Sequence, residues 1–279
     1  MKWLVRKISV YSSLAYFYIR RAIKEHPRFR KSWTFHPGSA ALFEKTLAEV
    51  PAEKVFLHVA LSSIKRFSNN EDPYVYLRDL LSENFRVVIS QAFTPAVRKT
   101  KYFDPRETPP AFGQFAKLFF RRDATFRNLD PCYSVIAQGD HGLNENALTF
   151  TPNGIFRQMI EQDYYCINIG LDYITCSLIH LIEYEQRVPY RIFYKDRFTL
   201  EKDGQTEEIG YTLHKGHPGY GIKGYVWWNK IRTNIDLLRR GIVRKYYIHG
   251  VPMYVFSLKA LHRFITEKVK KDPYYLIKW

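Results

Sequence analysis

His180 and Glu183 stand three residues apart in the run Leu178-Ile179-His180-Leu181-Ile182-Glu183. On a helix that spacing puts both side chains on one face, where the carboxylate can fix the imidazole tautomer and leave the other ring nitrogen as a base. A core histidine satisfied by a backbone carbonyl is the alternative. A second group of reactive types lies in Leu129-Asp130-Pro131-Cys132-Tyr133. A free aspartate titrates at about 4, so Asp130 serves as a base only where burial or a neighbouring carboxylate raises that value by several units. Otherwise it orients another group, or its carboxylate accepts a backbone hydrogen bond in an Asp-Pro turn. Cys132 invites a covalent acyl-enzyme with His180 as base, against the plainer reading of a small buried hydrophobe. Asp104 and the Arg106-Glu107 pair are candidates to meet a polar or aminated acceptor, against a solvated loop face. His58 ends a short apolar run and reads as support for the loop that follows. No C-x-x-C or H-E-x-x-H spacing appears, so no zinc site is expected.

Several of these residues fall in short motifs whose order resembles one family. Phe103-Asp104-Pro105-Arg106-Glu107-Thr108-Pro109 runs on to Gly113, and Arg127 to Val135 follows as R-x-x-x-P-x-x-SV. Together they resemble the aminoglycoside 3-N-acetyltransferase family. There the residue before the loop proline is a histidine that acts as the catalytic base; here it is Asp130. Phe56-Leu57-His58-Val59-Ala60-Leu61 is similar to the family's "VHSSL" strand and loop along the coenzyme A arm, with Val59 and Ala60 in place of the serines. Arg86 to Thr94 looks like the strand ending in "VMPTFT", and Phe150-Thr151-Pro152-Asn153-Gly154-Ile155 like a worn "FGxGSP". Ile167-Asn168-Ile169-Gly170, then His180 and Glu183, keep the spacing of "LLLG…TALHYAE".

The resemblance implies a coenzyme A thioester as acyl donor, met at His58, Val59, Ala60, Leu61 and Gly154. It implies catalysis by Asp130, His180 and Glu183, and substrate contacts at Asp104 and Tyr133. Acyl transfer to an amine needs a base, donors for the developing oxyanion and a groove for the pantetheine arm. The expected function is therefore a coenzyme A-dependent N-acyltransferase acting on an amino sugar, in surface glycan biosynthesis. Two alternatives stay open. One keeps the fold without acetyl transfer, as a binding or scaffolding protein at the membrane surface; the other changes the reaction, with Asp130 and Cys132 as a new pair.

The elements that must position these residues are legible in outline. Residues 55–59, 86–90, 133–137 and 164–170 read as short strands; residues 73–82, 112–121, 154–161 and 175–185 read as helices. Residues 91–111, with four prolines, read as a loop without helical or strand pattern. Alternating strands and helices predict an α/β fold: a three-layer αβα arrangement around a central sheet, mainly parallel or mixed. Loops after the strands, carrying His58, residues 91–104 and residues 171–175, then converge beyond the strands' carboxyl ends. After residue 187 the pattern turns to hairpins. Asp203-Gly204 suits a tight turn, and a second hairpin turns at His249-Gly250. Residues 258–271 read as a basic closing helix. The expected division is a basic amphipathic N-terminal helix over 1–35, the α/β core over 36–187, and a hairpin-rich extension over 188–279 belonging to the same domain.

Three cysteines among 279 residues make a disulfide framework unexpected and favour a reducing cytoplasm. The net charge of +16 is concentrated at the ends. Residues 1–35 carry nine Lys/Arg against one Glu, and residues 221–279 thirteen against three acids, while the middle is nearly neutral. Leu4, Ile8, Tyr11, Ala15, Tyr18 and Ala22 form one helical stripe. The run is too short to cross a bilayer, so it reads either as a helix on an anionic membrane surface or as one packed on its own domain. Trp227-Trp228 and Tyr246-Tyr247 lie among basic residues, but no nucleic-acid-binding motif accompanies them and no such partner is expected.

Overall fold

A computed structural model describes residues 33–69, 71–221 and 225–278, together with Ile8, Tyr11 and Ala15. The N-terminal helix read over residues 1–35 lies almost entirely outside the described residues. Among those described, no helix is long and apolar enough to cross a membrane.

In chain order the elements are α1 (Ser39–Ala48), β1 (Lys54–Val59), a 3-10 turn (Leu61–Arg66), α2 (Pro73–Asn84), β2 (Val87–Gln91), the single turn α3 (Val97–Thr100), β3 (Tyr102–Phe103), α4 (Gln114–Arg122), β4 (Phe126–Arg127) and β5 (Val135–Gly139). They continue with α5 (Ile155–Glu161), β6 (Tyr165–Ile169), α6 (Leu178–Glu185), β7 (Arg191–Lys202), β8 (Gln205–Gly216), α7 (Lys230–Arg239), β9 (Arg244–Ile248), β10 (Val251–Ser257) and α8 (Leu258–Lys271). The central sheet has the order β4-β5-β2-β1-β6-β10-β9. Within it β2, β1 and β6 run parallel, and every outer pairing is antiparallel. The sheet is thus mixed, with a parallel centre of three strands.

Both faces of that centre are apolar, which is why β1 and β6 read as near-continuous hydrophobic runs rather than alternating ones. One face, with Phe56, Ile89 and Cys166, packs under α5, α6, α7 and α8. The other, with Leu57, Val88 and Ile167, packs under α1, α2 and α4. Two cores on one sheet give the three layers.

The second hairpin joins the core directly: β10 pairs with β6 and widens the central sheet. Its turn places His249 and Gly250 at φ 44° and 92°, the left-handed pair that a two-residue hairpin demands. The first hairpin, β7–β8, forms a three-stranded sheet with β3, which pairs at Thr199 and Leu200. The segment read as patternless, residues 91–111, therefore carries one helical turn and one short strand. Two residues of strand have too little periodicity to be read locally; β7, far along the chain, supplies their partner. Under this sheet a third apolar cluster joins Phe103, Cys132, Tyr133, Phe150, Tyr211 and Leu213.

Candidate functional site

Two loops meet at the carboxyl ends of β1 and β6. Gly170, at φ 71°, follows β6, and a Cβ there would collide with Ser63 Oγ of the 3-10 turn after β1. Only glycine permits that approach. Asn168 is fully buried; its Oδ1 accepts from Thr175 N at 2.6 Å, and its Nδ2 donates to Cys166 Sγ at 3.3 Å. This ties the loop after β6 back to its strand and delivers α6 into the crevice.

His180 and Glu183 face each other one turn apart on α6, as their spacing predicts. His180 Nδ1 lies 2.9 Å from Glu183 Oε2, which also accepts from Arg191 Nε at 3.0 Å. Glu183 Oε1 accepts from Trp228 Nε1 at 2.8 Å. Burial pushes the Glu183 carboxyl up, but the Arg191 guanidinium, the His180 ring and the Trp228 N–H outweigh it and hold it at about 2. An ionised Glu183 fixes the proton on Nδ1 and leaves Nε2 with its lone pair. His180 itself titrates below its ordinary value, because burial disfavours the imidazolium more than Glu183 favours it. With 22% of its side chain exposed, the ring is open to a ligand.

Around the imidazole stand Trp228 at 5.0 Å, His214 at 4.4 Å and Tyr133 at 6.2 Å between ring centroids. Tyr133, expected to meet substrate, is buried and forms a wall of the site; its hydroxyl accepts from Arg98 Nη2. His214 stacks on it with the rings 9° apart and 5.6 Å between centroids. Neither nitrogen of His214 has a hydrogen-bond partner among the described residues, and burial drives its pKa well below the ordinary value. Arg191, His214, Trp228 and Arg98 escape the sequence reading of the site. They lie on β7, on β8, before α7 and on α3, and nothing local marks them as facing α6.

Asp130 reaches this centre through Tyr133. Its carboxylate is fully enclosed and accepts four hydrogen bonds: Oδ1 from Cys132 N (3.0 Å), Tyr133 N (2.6 Å) and the Tyr211 hydroxyl (2.6 Å), and Oδ2 from Thr149 N (2.7 Å). This bonding is that of the turn reading, extended to two further segments. Cys132 is buried beside it, and burial, then the Asp130 charge, push its thiol up to about 12. Such a thiol carries almost no thiolate at neutral pH. Asp104 caps its own turn, accepting from Arg106 N at 2.7 Å and Glu107 N at 3.1 Å. It lines a separate pocket of about 230 Å³ with Arg106, Glu145, Lys202 and Asp203, outside the His180 centre. The R-x-x-x-P-x-x-SV motif acts as a brace. Buried Arg127 donates to Ser134 Oγ at 3.1 Å, Pro105 O at 3.0 Å and Ala92 O at 3.1 Å.

The residues expected to meet coenzyme A fit that group in part. His58, 3% exposed at the end of β1, has an Nε2 without a hydrogen-bond partner among the described residues, and its ring interacts with the buried Cys176 thiol. Val59 and Ala60 offer no hydroxyls, yet the following 3-10 turn leaves the amides of Leu61 and Ser62 without acceptors inside it, the Ser63 amide being the first to find one at Ala60 O. Those amides can hydrogen-bond a pantetheine arm. Gly154 serves the backbone instead. A Cβ there would stand 2.6 Å from the carbonyl oxygens of both Leu148 and Thr149, so glycine lets the chain fold closely on itself before α5.

Solved structures share this architecture. Aminoglycoside acetyltransferase AAC(3)-Xa superposes with a TM-score of 0.66 at 17% identity, covering 85% of this chain and 92% of its own. AAC-IIIb, solved as a binary complex with CoASH, gives 0.64 at 16% identity, covering 86% of this chain and 97% of its own. The YokD protein from Bacillus subtilis gives 0.63 at 18% identity, covering 84% and 98%. At such identities the likeness is one of fold. Among curated protein sequences none matches. The model of the aminoglycoside 3-N-acetyltransferase family, however, matches residues 56–270, from the first strand of the crevice to the last helix of the fold. The chain belongs to the aminoglycoside 3-N-acetyltransferase family, whose members are coenzyme A-dependent acyltransferases.

Proposed function

We propose that the protein moves an acyl group from a coenzyme A thioester to the amine of an amino sugar in surface glycan biosynthesis, with His180 as the base. The observation that carries this reading is the His180–Glu183 pair, held by Arg191 and Trp228 at the carboxyl end of the parallel strands. When bound, the thioester supplies the acyl carbon and a sulfur leaving group. His180 Nε2 takes the proton of the attacking amine as the new C–N bond forms, and returns it to the sulfur as the C–S bond breaks. Glu183 stabilises the transient imidazolium, and Tyr133, His214 and Trp228 keep the ring in place and limit water around it. His58 and the Leu61 amide hold the pantetheine arm.

Transfer itself is the measurement. Acetyl-CoA and glucosamine incubated with the protein should release a free thiol together with N-acetylglucosamine. The departures at Val59, Ala60 and Asp130 favour a second reading, a binding protein on the same fold. Acetyl-CoA binding without thiol release across a panel of amino sugars would decide for it.

The apolar stripe of the basic N-terminal segment suits an anionic membrane surface: Ile8 and Tyr11 are helical and 37% and 65% exposed. Co-sedimentation with anionic vesicles at low salt should fall when residues 1–24 are deleted, and should weaken in the intact chain as salt rises. Equal binding by the truncated chain would move the credit to basic α8.

A further inference from the structure

Beside the candidate centre, between α6 and the start of β7, lies an open cleft of about 820 Å³. Its floor is aromatic. Phe150, Tyr184 and Phe193 meet one another with centroids 5.1 Å, 5.1 Å and 5.7 Å apart. Three arginines line the cleft, the exposed Arg187, the partly exposed Arg157 and the nearly buried Arg191, and Glu185 is the only carboxylate among the lining residues. Glu185 is already engaged from two sides, paired with Arg157 at 2.6 Å and in contact with His262 Nε2 at 2.8 Å. Arg191 is committed to Glu183 through Nε. Arg187 is exposed and has no acidic partner among the described residues. It sits just past the end of α6 at φ 45°, a left-handed position where helices favour glycine. A long cation thus occupies a site whose backbone would be made more easily without a side chain.

This charge is wrong for a polyamine and idle for a neutral sugar. It suits a ligand with phosphate at one end and a flat ring to pack into the corner that Tyr184 and Phe193 make at 69° to each other. The volume, near the upper part of the range for ligand pockets, suits a group larger than one hexosamine. The cleft touches the C-terminal turn of α6, whereas the loop of His58–Leu61 reaches the other end of that helix through Ser63, Gly170 and Asn168. Eight residues of helix span about 12 Å, and His180 lies between the two ends. The cleft is therefore on the side of the base away from the loop proposed to hold coenzyme A.

We propose that the acceptor is an amino sugar carried on a nucleoside diphosphate, its phosphates at Arg187 and Arg157 and its ring system on Tyr184 and Phe193. The word acceptor rests on the acyl-transfer reading above; occupation of the cleft by a nucleoside diphosphate does not, and is measured separately. Titration of the full chain with uridine diphosphate, with uridine diphosphate glucosamine and with acetyl-CoA is the experiment. Wild type should bind the first two. Arg187→Glu should weaken both at least tenfold, Tyr184→Ala should weaken them in the same direction, and acetyl-CoA affinity should stay within twofold for Arg187→Glu. That pattern supports the cleft even if no acyl transfer is ever detected. Equal weakening of acetyl-CoA by Arg187→Glu would show that the cleft holds the cofactor's own nucleotide and would overturn the proposal. Absence of uridine nucleotide binding by wild type, or binding indifferent to Arg187→Glu in a normally melting variant, would overturn it as well.

Discussion

Replacing His180 by glutamine is expected to lower the rate of acyl transfer by about 10²–10⁴-fold while leaving acetyl-CoA affinity unchanged. Glutamine keeps much of the volume and a hydrogen-bonding end toward Glu183, so the pocket stays filled, but it has no lone pair that can carry a proton. Glu183→Gln should act in the same direction more weakly, because it leaves the imidazole present but loosens its tautomer and orientation. The pH profile gives the sign independently. Burial lowers the His180 pKa more than Glu183 raises it, so the neutral ring persists below the ordinary histidine value of about 6.5. Activity should therefore hold through that pH and fall only under more acidic conditions, as the imidazolium forms. A His180→Gln variant within about threefold of the wild-type rate, or an acid limb centred above about 6.5, would remove His180 from the base role.

The part of this centre that is legible in the sequence is the part made by one helix. His180 and Glu183 declare themselves because a turn of α-helix converts a three-residue spacing into a contact. Arg191 and Trp228 complete the same carboxylate from outside that helix, and Trp228 sits in an aromatic and basic stretch with no local hint of a carboxylate partner. His214 is concealed differently. On β8 the inward positions Tyr211 and Leu213 alternate, but Leu213 and His214 are both buried, so a strict two-residue period does not select the histidine. The parallel strands are readable because both their faces are apolar. The β3–β7 pairing is not, since its register is set by tertiary packing rather than by pattern. Among the family motifs, residues that keep their type take two parts: Arg127 braces a loop, while His180 and Glu183 pair in the candidate centre. Those that change, Val59, Ala60 and Asp130, lie where the resemblance places function. Under the proposal of an acceptor unlike a cationic aminoglycoside, the altered fittings on a kept scaffold and the arginine-lined cleft beside His180 would share one cause.

Asp130 holds the motif position of the expected base, and its surroundings give it a structural task as well. Its four donors come from three places in the chain: the turn of Cys132 and Tyr133, the loop at Thr149, and Tyr211 on the long hairpin. One carboxylate thus clamps the wall of the site, the segment leading into Phe150, and the sheet that covers both. Asp130→Ala leaves all four donors buried and unpaired, and a loss of about 3–5 kcal/mol is expected, read as a fall in the denaturant midpoint and in Tm. Asp130→Asn should also destabilise, because its amide can replace only one accepting oxygen and turns a donor toward other donors. Asp130→His, which restores the residue that the family pattern expects, meets the same obstacle: a ring cannot accept from four converging groups. We expect it to lose stability and gain no transfer activity. The discriminating result is the relation between the two readouts. If Asp130 were the base, Asp130→Asn would fold with near wild-type stability and turn over nothing. If it is the clamp, whatever fraction of Asp130→Asn remains folded should still transfer the acyl group through His180, and its losses should track its melting curve rather than its pH profile.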